Sequence, residues 1–486
     1  MLLQAAVRSF TLAGSVLLLS SCGHRLDMAA VVLAQADEVM GVSTVKTLRY
    51  SGSGTGATFG QAYQPGMAWP KLTYTSFSRV LDYDNGALRE DFACIRAEPT
   101  GGGALPLMGT GEQRSTGLLH GLHAWNIVGS SPVASPIAVD ARIHDLWTSP
   151  HGVVKAALKH NRATALPDGT RWVISFTERG RYSAKAWIGP DGLVERVDTL
   201  QPNPVLGDMQ TVTFYTDYRD FGGVKFPARI RQVQGGFPVL DLVVNQVQVN
   251  QPAGIVVPPA VEAATERVTA DKVAEGVWMI GGGSHNSVLV EMKDHLIMVE
   301  SPQFDGRALA VLSEVRRLVP DKPLRYVINS HHHFDHAGGL RTAAAAGATL
   351  VTSEQARPWF ERVLSNPNSI RPDALARSGR KVMVTGVSGQ HTLTDGSRTV
   401  EVFMITDSIH AQGFLMAWLP RERLLIEADA YTPDAPGTAP PAQPNANNVN
   451  LLANIERLKL PVDRIVPLHG RVVPLAELYA AVGRKP

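Results

Sequence analysis

From about Val42 to Asn250 the chain repeats one texture: short runs mixing bulky apolar and polar side chains, separated by turn residues. Trp172-Val173-Ile174-Ser175-Phe176-Thr177 is one such run, and Thr211-Val212-Thr213-Phe214-Tyr215 is another. Leu240-Asp241-Leu242-Val243-Val244 continues the series, extended by Val247 and Val249. Successive side chains on a strand point to opposite faces, so these runs predict strands with one apolar face. Asp84-Asn85-Gly86 and Gly189-Pro190-Asp191-Gly192 are turn signals between such strands. Strands joined by hairpins give an antiparallel sheet, here expected to be curved.

An apolar sheet face needs a cover. The expected sheet resembles the curved sheets of periplasmic lipoprotein carriers, which would imply an apolar ligand on that face. The alternative is that the face packs on the neighbouring domain, and the rarity of exposed apolar sheet faces favours it. Gln251-Pro252-Ala253-Gly254 and Val257-Pro258-Pro259 then break the pattern and mark a linker. Beyond it, strand-like and helical runs alternate, as in Ala308-Leu309-Ala310-Val311-Leu312-Ser313-Glu314-Val315 before Leu324-Arg325-Tyr326-Val327-Ile328. That alternation predicts a layered α/β domain. The expected organisation is a signal peptide at 1–21, an N-terminal tether at 22–41, a β-rich domain at 42–250, a linker at 251–263 and an α/β domain at 264–486.

Composition narrows the function classes. Among 486 residues, 44% are hydrophobic and 19% charged, which suits a large packed core. The 46 basic residues nearly balance the 44 acidic ones, so the charge gives no case for a nucleic-acid partner. Near the N-terminus, Arg8 precedes the apolar stretch Leu12–Leu19 and then Ser20-Ser21-Cys22. The stretch is too short to span a bilayer stably and reads as an export signal. Leu19-Ser20-Ser21-Cys22 resembles the bacterial lipobox, in which the Cys is acylated and becomes the mature N-terminus. An ordinary signal peptide containing a Cys is the alternative. The lipobox reading predicts an exported, membrane-anchored lipoprotein facing the periplasm, and Gly23 after Cys22 points to the outer membrane. With lipid on Cys22, Cys94 has no intramolecular partner and no disulfide supports the fold.

The chemistry concentrates after the linker. The strand Leu324–Ile328 runs into Ser330-His331-His332-His333-Phe334-Asp335-His336-Ala337-Gly338-Gly339, an H-x-H-x-D-H pattern. Imidazole and carboxylate donors together suit zinc, and one such loop can reach two metals while His332 points away. This motif resembles that of the metallo-β-lactamase superfamily, and the resemblance covers Val268 to the C-terminus. It implies three more ligands in order, each after a strand, and the candidates are His410 after Val400–Ile405, Asp429 after Leu424–Ala428 and His469 after Arg464–Leu468. The resemblance implies an αβ/βα sandwich behind the antiparallel β-rich domain, so the whole is a mixed α+β and α/β chain. It also implies two zinc ions. His331, His333 and His410 would hold the first, Asp335, His336 and His469 the second, with Asp429 bridging. Glu300 stands where the family often has an acidic residue behind the ligands. His285, His295 and His391 are expected to be structural.

The implied reaction is hydrolysis of a small carbonyl substrate, a lactone, ester or amide, by a hydroxide shared between two zincs. Asp335 would orient the nucleophile and carry its proton, and Tyr431 would donate to the developing oxyanion. β-Lactam hydrolysis is the alternative within the family. An iron-dependent oxygenase and a non-catalytic lipid-binding lipoprotein are alternatives of other classes. The segments Glu354–Arg380 and Pro433–Asn448 are expected to flank the pocket. All seven ligands follow the linker, so the β-rich half is expected to be dispensable for metal binding.

Overall fold

The computed structural model describes residues 16–97, 111–160, 162–439 and 442–485, with side chains from Met28 onward. The expected signal peptide lies largely outside the described residues, as does the side chain of Cys22. No described helix is long and apolar enough to cross a membrane.

The N-terminal half is one 13-stranded antiparallel sheet. Its centre pairs the first strand, Thr47–Ala57, with the last, Phe237–Val249, and a meander runs outward on each side. The two outer edges are joined by a helical connection, α2 (Val139–Trp147) and α3 (Pro150–Lys159), which the sequence pattern did not reveal. The start of α3 follows from local chemistry. Pro150 sits in its first turn, and Ser149 Oγ accepts from Gly152 N at 3.2 Å.

Of the residues 22–41, expected to be a tether, all but Gly41 lie in a helix, α1 (Val16–Met40). Ala29, Val32, Leu33, Ala36 and Met40 repeat at helical spacing and are buried against the sheet together with Val153, Val154, Ala156 and Ala157 of α3. The apolar face of the sheet is thus covered by the domain's own helices, not by the neighbouring domain as expected. Small residues on the helix faces let the backbones approach closely, and each buried Val or Leu contributes on the order of 1.5–3 kcal/mol.

Between the sheet and the next strand, residues 251–258 have no regular structure. Ile255 and Val261 pack on Ala87, Leu118 and Trp125, so this segment lies against the first sheet. The C-terminal half places a seven-stranded sheet against a six-stranded one. Val288, Val290, Ile297 and Val299 of one meet Val400, Val402, Leu415 and Leu425 of the other in a shared core. Leu289 and Met298 point the opposite way, onto Val311, Leu312 and Phe360 of the outer helices. Burial on both faces explains the nearly unbroken apolar runs.

The halves touch along two seams. Asp208 of the large sheet accepts from Ser369 N (2.8 Å), Ser369 Oγ (2.6 Å) and Ile370 N (3.1 Å), and Asn366 Nδ2 donates to Leu206 O at 3.0 Å. The 354–380 segment, expected to flank the pocket, therefore grips the N-terminal domain. The second seam is the loop 58–70, between Thr47–Ala57 and Lys71–Asp82, whose Phe59 and Trp69 pack on Phe334 at ring-centroid distances of 5.2 and 6.2 Å.

Candidate metal centre

Strand ends and tight turns place the donors. Leu324–Ile328 lies inside the seven-stranded sheet between parallel neighbours, so its side chains are largely committed to packing and the first free positions come after it. His331 to His333 follow, and Phe334–Ala337 is a single helical turn. Gly338 is required there: a Cβ would lie 1.7 Å from the Gln303 carbonyl oxygen. Asp429 sits just beyond the strand Leu424–Glu427, in a turn closed by Tyr431 N donating to Glu427 Oε2 at 2.9 Å. His469 follows Arg464–Pro467, whose parallel pairing with Leu424–Glu427 brings the two ends side by side. His410 follows Thr399–Met404, in a loop where Ser408 Oγ accepts from His410 N at 3.2 Å.

These elements converge on two donor clusters, His331, His333, His410 and Asp429, and His285, Asp335, His336 and His469. In the first, His331 Nε2 is 2.9 Å from His333 Nδ1 and 3.1 Å from His410 Nε2. Asp429 Oδ2 is 2.8 Å from His410 Nε2 and 3.7 Å from His331 Nε2. In the second, His336 Nε2 and His469 Nε2 are 3.2 Å apart. Asp429 Oδ1 lies 3.1 and 2.8 Å from those two nitrogens. Asp335 Oδ2 completes the group, 3.7 Å from His336 Nε2 and 3.2 Å from His285 Nε2. The two oxygens of Asp429 thus face one cluster each.

The donor set fits a bound cation. Lone-pair nitrogens facing one another near 3 Å repel unless something positive lies between them. Zinc–nitrogen bonds of roughly 2.0–2.1 Å in a tetrahedron give ligand–ligand edges of about 3.4 Å, inside the observed spread. Asp429 Oδ1 is buried beside two imidazoles without a well-directed hydrogen bond to either. Two of the outward nitrogens are anchored: His331 Nδ1 on Ser330 Oγ at 2.9 Å and His469 Nδ1 on Ser284 O at 2.9 Å. Such anchors fix the tautomer and aim the other nitrogen. Glu300 is fully buried, accepts from Ser330 N at 2.5 Å and lies 3.5 Å from His336 Nδ1. It holds a left-handed φ of 67°, uncommon for a residue with a Cβ, at a point that serves the site.

The electrostatics are those of a site built for positive charge. Burial, followed by the neighbouring imidazoles, holds His331 and His333 well below the ordinary histidine range. Burial would also lower His336, but Asp429 and Asp335 outweigh it and raise His336 well above that range. For Asp429, burial pushes upward and is overcome by His336 and His410, which hold it well below the usual carboxylate range. Asp335 is lowered as well, with burial opposed by His336 and by the hydrogen bond from His285. Burial drives Glu427 well up instead, and its carboxyl accepts the turn's backbone N–H.

The structure adds observations to three sequence expectations here. His285, expected to be structural, joins the second cluster. The signal was present, since it follows the strand Val277–Gly281 as the other donors follow theirs. Tyr431, expected at the oxyanion, is buried in the C-terminal core, and its charged neighbours are Glu477, Arg471, Asp434 and Glu427, none of them in a cluster. The N-terminal half, expected to be dispensable, reaches the centre. Gln61 Nε2 donates to Asp335 Oδ1 at 2.7 Å, and the Ala62 carbonyl accepts from His332 Nε2 at 2.7 Å and His333 Nε2 at 3.0 Å. His332 does point away from the clusters, into this interface.

Comparison with known proteins agrees with this geometry. Residues 280–469 match the family model of the metallo-β-lactamase superfamily. A linear primary-alkylsulfatase from a Pseudomonas species is 22% identical over 38% of this chain and 41% of its own length. The chain thus spans well under half of that curated relative. A metallo-β-lactamase from Pontibacter korlensis superposes with a TM-score of 0.35 at 15% identity, covering 45% of this chain and 98% of its own. The metallo-β-lactamase DIM-1 gives a TM-score of 0.34 at 17% identity, over 45% and 95%. The family-model match by itself identifies residues 280–469 as a metallo-β-lactamase superfamily domain, with His/Asp clusters at its strand ends and a large antiparallel sheet preceding it in the chain.

Proposed function

We propose that the protein is a metal-dependent hydrolase that holds two zinc ions, one in each cluster, and cleaves a small carbonyl substrate such as a lactone, ester or amide. The observation that carries this reading is Asp429, whose two oxygens each complete a separate set of imidazole donors. Zinc bound there supplies Lewis-acid polarisation and acidifies water to a pKa of roughly 7. The chain's own residues do the rest. His331, His333 and His410 are almost wholly buried, whereas Asp335 and His469 keep 31% and 19% of their side-chain exposure. Substrate therefore approaches from the second cluster. Asp335 Oδ1 is held by Gln61, so its carboxylate keeps one orientation and can take a proton from the attacking water.

A second reading is hydrolysis of a sulfate ester, which the similarity to the linear primary-alkylsulfatase favours. A kcat/KM panel on metal-loaded full-length protein separates the possibilities, using a lactone, an aryl ester, a primary alkyl sulfate, a penicillin and a carbapenem. The lactone or aryl ester should be fastest. A faster alkyl sulfate or β-lactam would replace the carbonyl-ester reading with that activity. On the sequence alone, Arg8 to Cys22 supports export and a lipid anchor on Cys22, placing the enzyme at the outer membrane facing the periplasm.

A further inference from the structure

The domain that carries none of the expected ligands touches two of them. We infer that the loop 58–70 of the N-terminal sheet is a working part of the metal centre, in which Gln61 positions Asp335 and the Ala62 carbonyl positions His333. The inference rests on the metal-hydrolase reading and names residues outside the family domain that the reading requires.

A carbonyl oxygen only accepts, so His333 must carry its proton on Nε2. That leaves the Nδ1 lone pair facing His331 Nε2, 2.9 Å away inside the first cluster. The other imidazoles of the two clusters face inward with Nε2, so His333 is the one whose useful nitrogen lies close to its own backbone. The ring has to be turned and held, and Ala62 does this from across the domain boundary. Gln61 acts on the second cluster. Its amide donates to Asp335 Oδ1, leaving Oδ2 toward His285 and His336.

Docking of the two domains does not by itself call for these contacts. Asp208 and Asn366 already bind the halves together along a separate seam, and Phe59, Trp69 and Phe334 form an apolar one. Gln61 is 7% exposed, and a buried amide is stable only where hydrogen bonds await it. The loop is also pinned to the motif. Gly60 O accepts from Phe334 N at 3.2 Å, and Tyr63 O accepts from Gln412 N at 2.8 Å beside His410. Gly60 has a left-handed φ of 79°, and a Cβ there would lie 2.6 Å from Phe334 Cγ. A side chain at position 60 would collide with the Phe334 side chain, so the loop's seat on the motif depends on a glycine.

The test is metal affinity, read by chelator competition with Zn²⁺ and by visible spectra of Co²⁺-substituted protein, on the full chain. Gly60→Ala should lift the loop and weaken the first site roughly 10- to 100-fold, the scale of losing a group that orients a ligand. Gln61→Met, matched in length but unable to donate, should weaken the second site on that scale and leave the first-site Co²⁺ spectrum in place. Asp208→Ala loosens the other seam and should leave both affinities at the wild-type value. Unchanged affinities in folded Gly60→Ala and Gln61→Met protein would overturn the inference, as would an equal loss in Asp208→Ala. If Gly60→Ala fails to fold, Gln61→Met decides alone. Wild type that binds no metal overturns the hydrolase reading together with this inference, whereas a variant result against a metal-binding wild type bears on this inference alone.

Discussion

Removing the Asp429 carboxylate should strike both clusters at once. Its oxygens lie within 3.1 Å of His336, His410 and His469 nitrogens, and it is 3% exposed, so water cannot readily replace it. Loss of a group that merely orients a ligand weakens metal binding by roughly 10- to 100-fold. In the proposed two-zinc reading Asp429 would donate directly, so the upper end applies to each site: about 100-fold, or about 2.7 kcal/mol at 1.36 kcal/mol per decade. Asp429→Asn keeps shape and volume and isolates the charge, while Asp429→Ala removes the oxygens as well. Both variants would be equilibrated against graded chelator, their zinc counted by elemental analysis and their kcat/KM measured on the best substrate. Turnover should fall at least roughly 100-fold in Asp429→Ala, with occupancy lost at chelator concentrations that leave wild type with two zincs. Full occupancy and full turnover in Asp429→Ala would refute the shared-carboxylate argument. One iron and no zinc in wild type would point to an oxygenase instead.

Glu300→Gln should weaken the second site by roughly tenfold or more, because the amide cannot hold His336 Nδ1 as the carboxylate does; an unchanged chelator titration would remove Glu300 from the site. His151 is fully buried, donates from Nε2 to Met40 O at 3.0 Å, and burial lowers its pKa to about 4. The unfolded chain binds that proton near pH 6.5, so this group's contribution to stability falls as pH drops from about 6.5 to about 4, by up to about 3 kcal/mol. His151→Gln should flatten that part of the Tm profile, and a profile of unchanged slope would contradict the assignment. Cys22→Ser should block acylation and processing of a protein otherwise recovered with membranes; unmodified wild type recovered as soluble periplasmic protein counts against the anchor.

What the sequence made legible divides along a physical line. Donors at strand ends stand out because a buried strand leaves ionisable side chains only where it stops, and His331, His410, Asp429 and His469 each mark such a stop. His285 obeys the same rule after Val277–Gly281 but is isolated from the H-x-H-x-D-H motif, and only the fold shows it opposite Asp335. The antiparallel sheet was legible from its alternation, whereas α1 and α3 were not. Their buried faces mix alanine, which favours helix, with valine, which favours strand, so short windows do not separate the two. Least legible was the loop 58–70. Its decisive atom is a backbone carbonyl at Ala62, and no side-chain pattern announces that.

That contact has a thermodynamic consequence. If the loop raises metal affinity by some factor, bound metal must strengthen docking of the loop by the same factor, because linkage between two equilibria is reciprocal. The observable is backbone hydrogen exchange at the amides that hold the loop in place. Phe334 N donates to Gly60 O, and Gln412 N donates to Tyr63 O. Both should exchange roughly 10- to 100-fold more slowly once zinc is loaded, the range set by the loss expected on lifting the loop. Amides in the far meander, such as Val197 paired with Thr213, lie outside the coupled region and should not change. Equal protection of Phe334 and Gln412 with and without zinc, in protein shown to bind two ions, would mean that the loop rests on the metal centre without sharing its energy. Slowing throughout the large sheet would mean that metal stabilises the whole chain and that the coupling is not local.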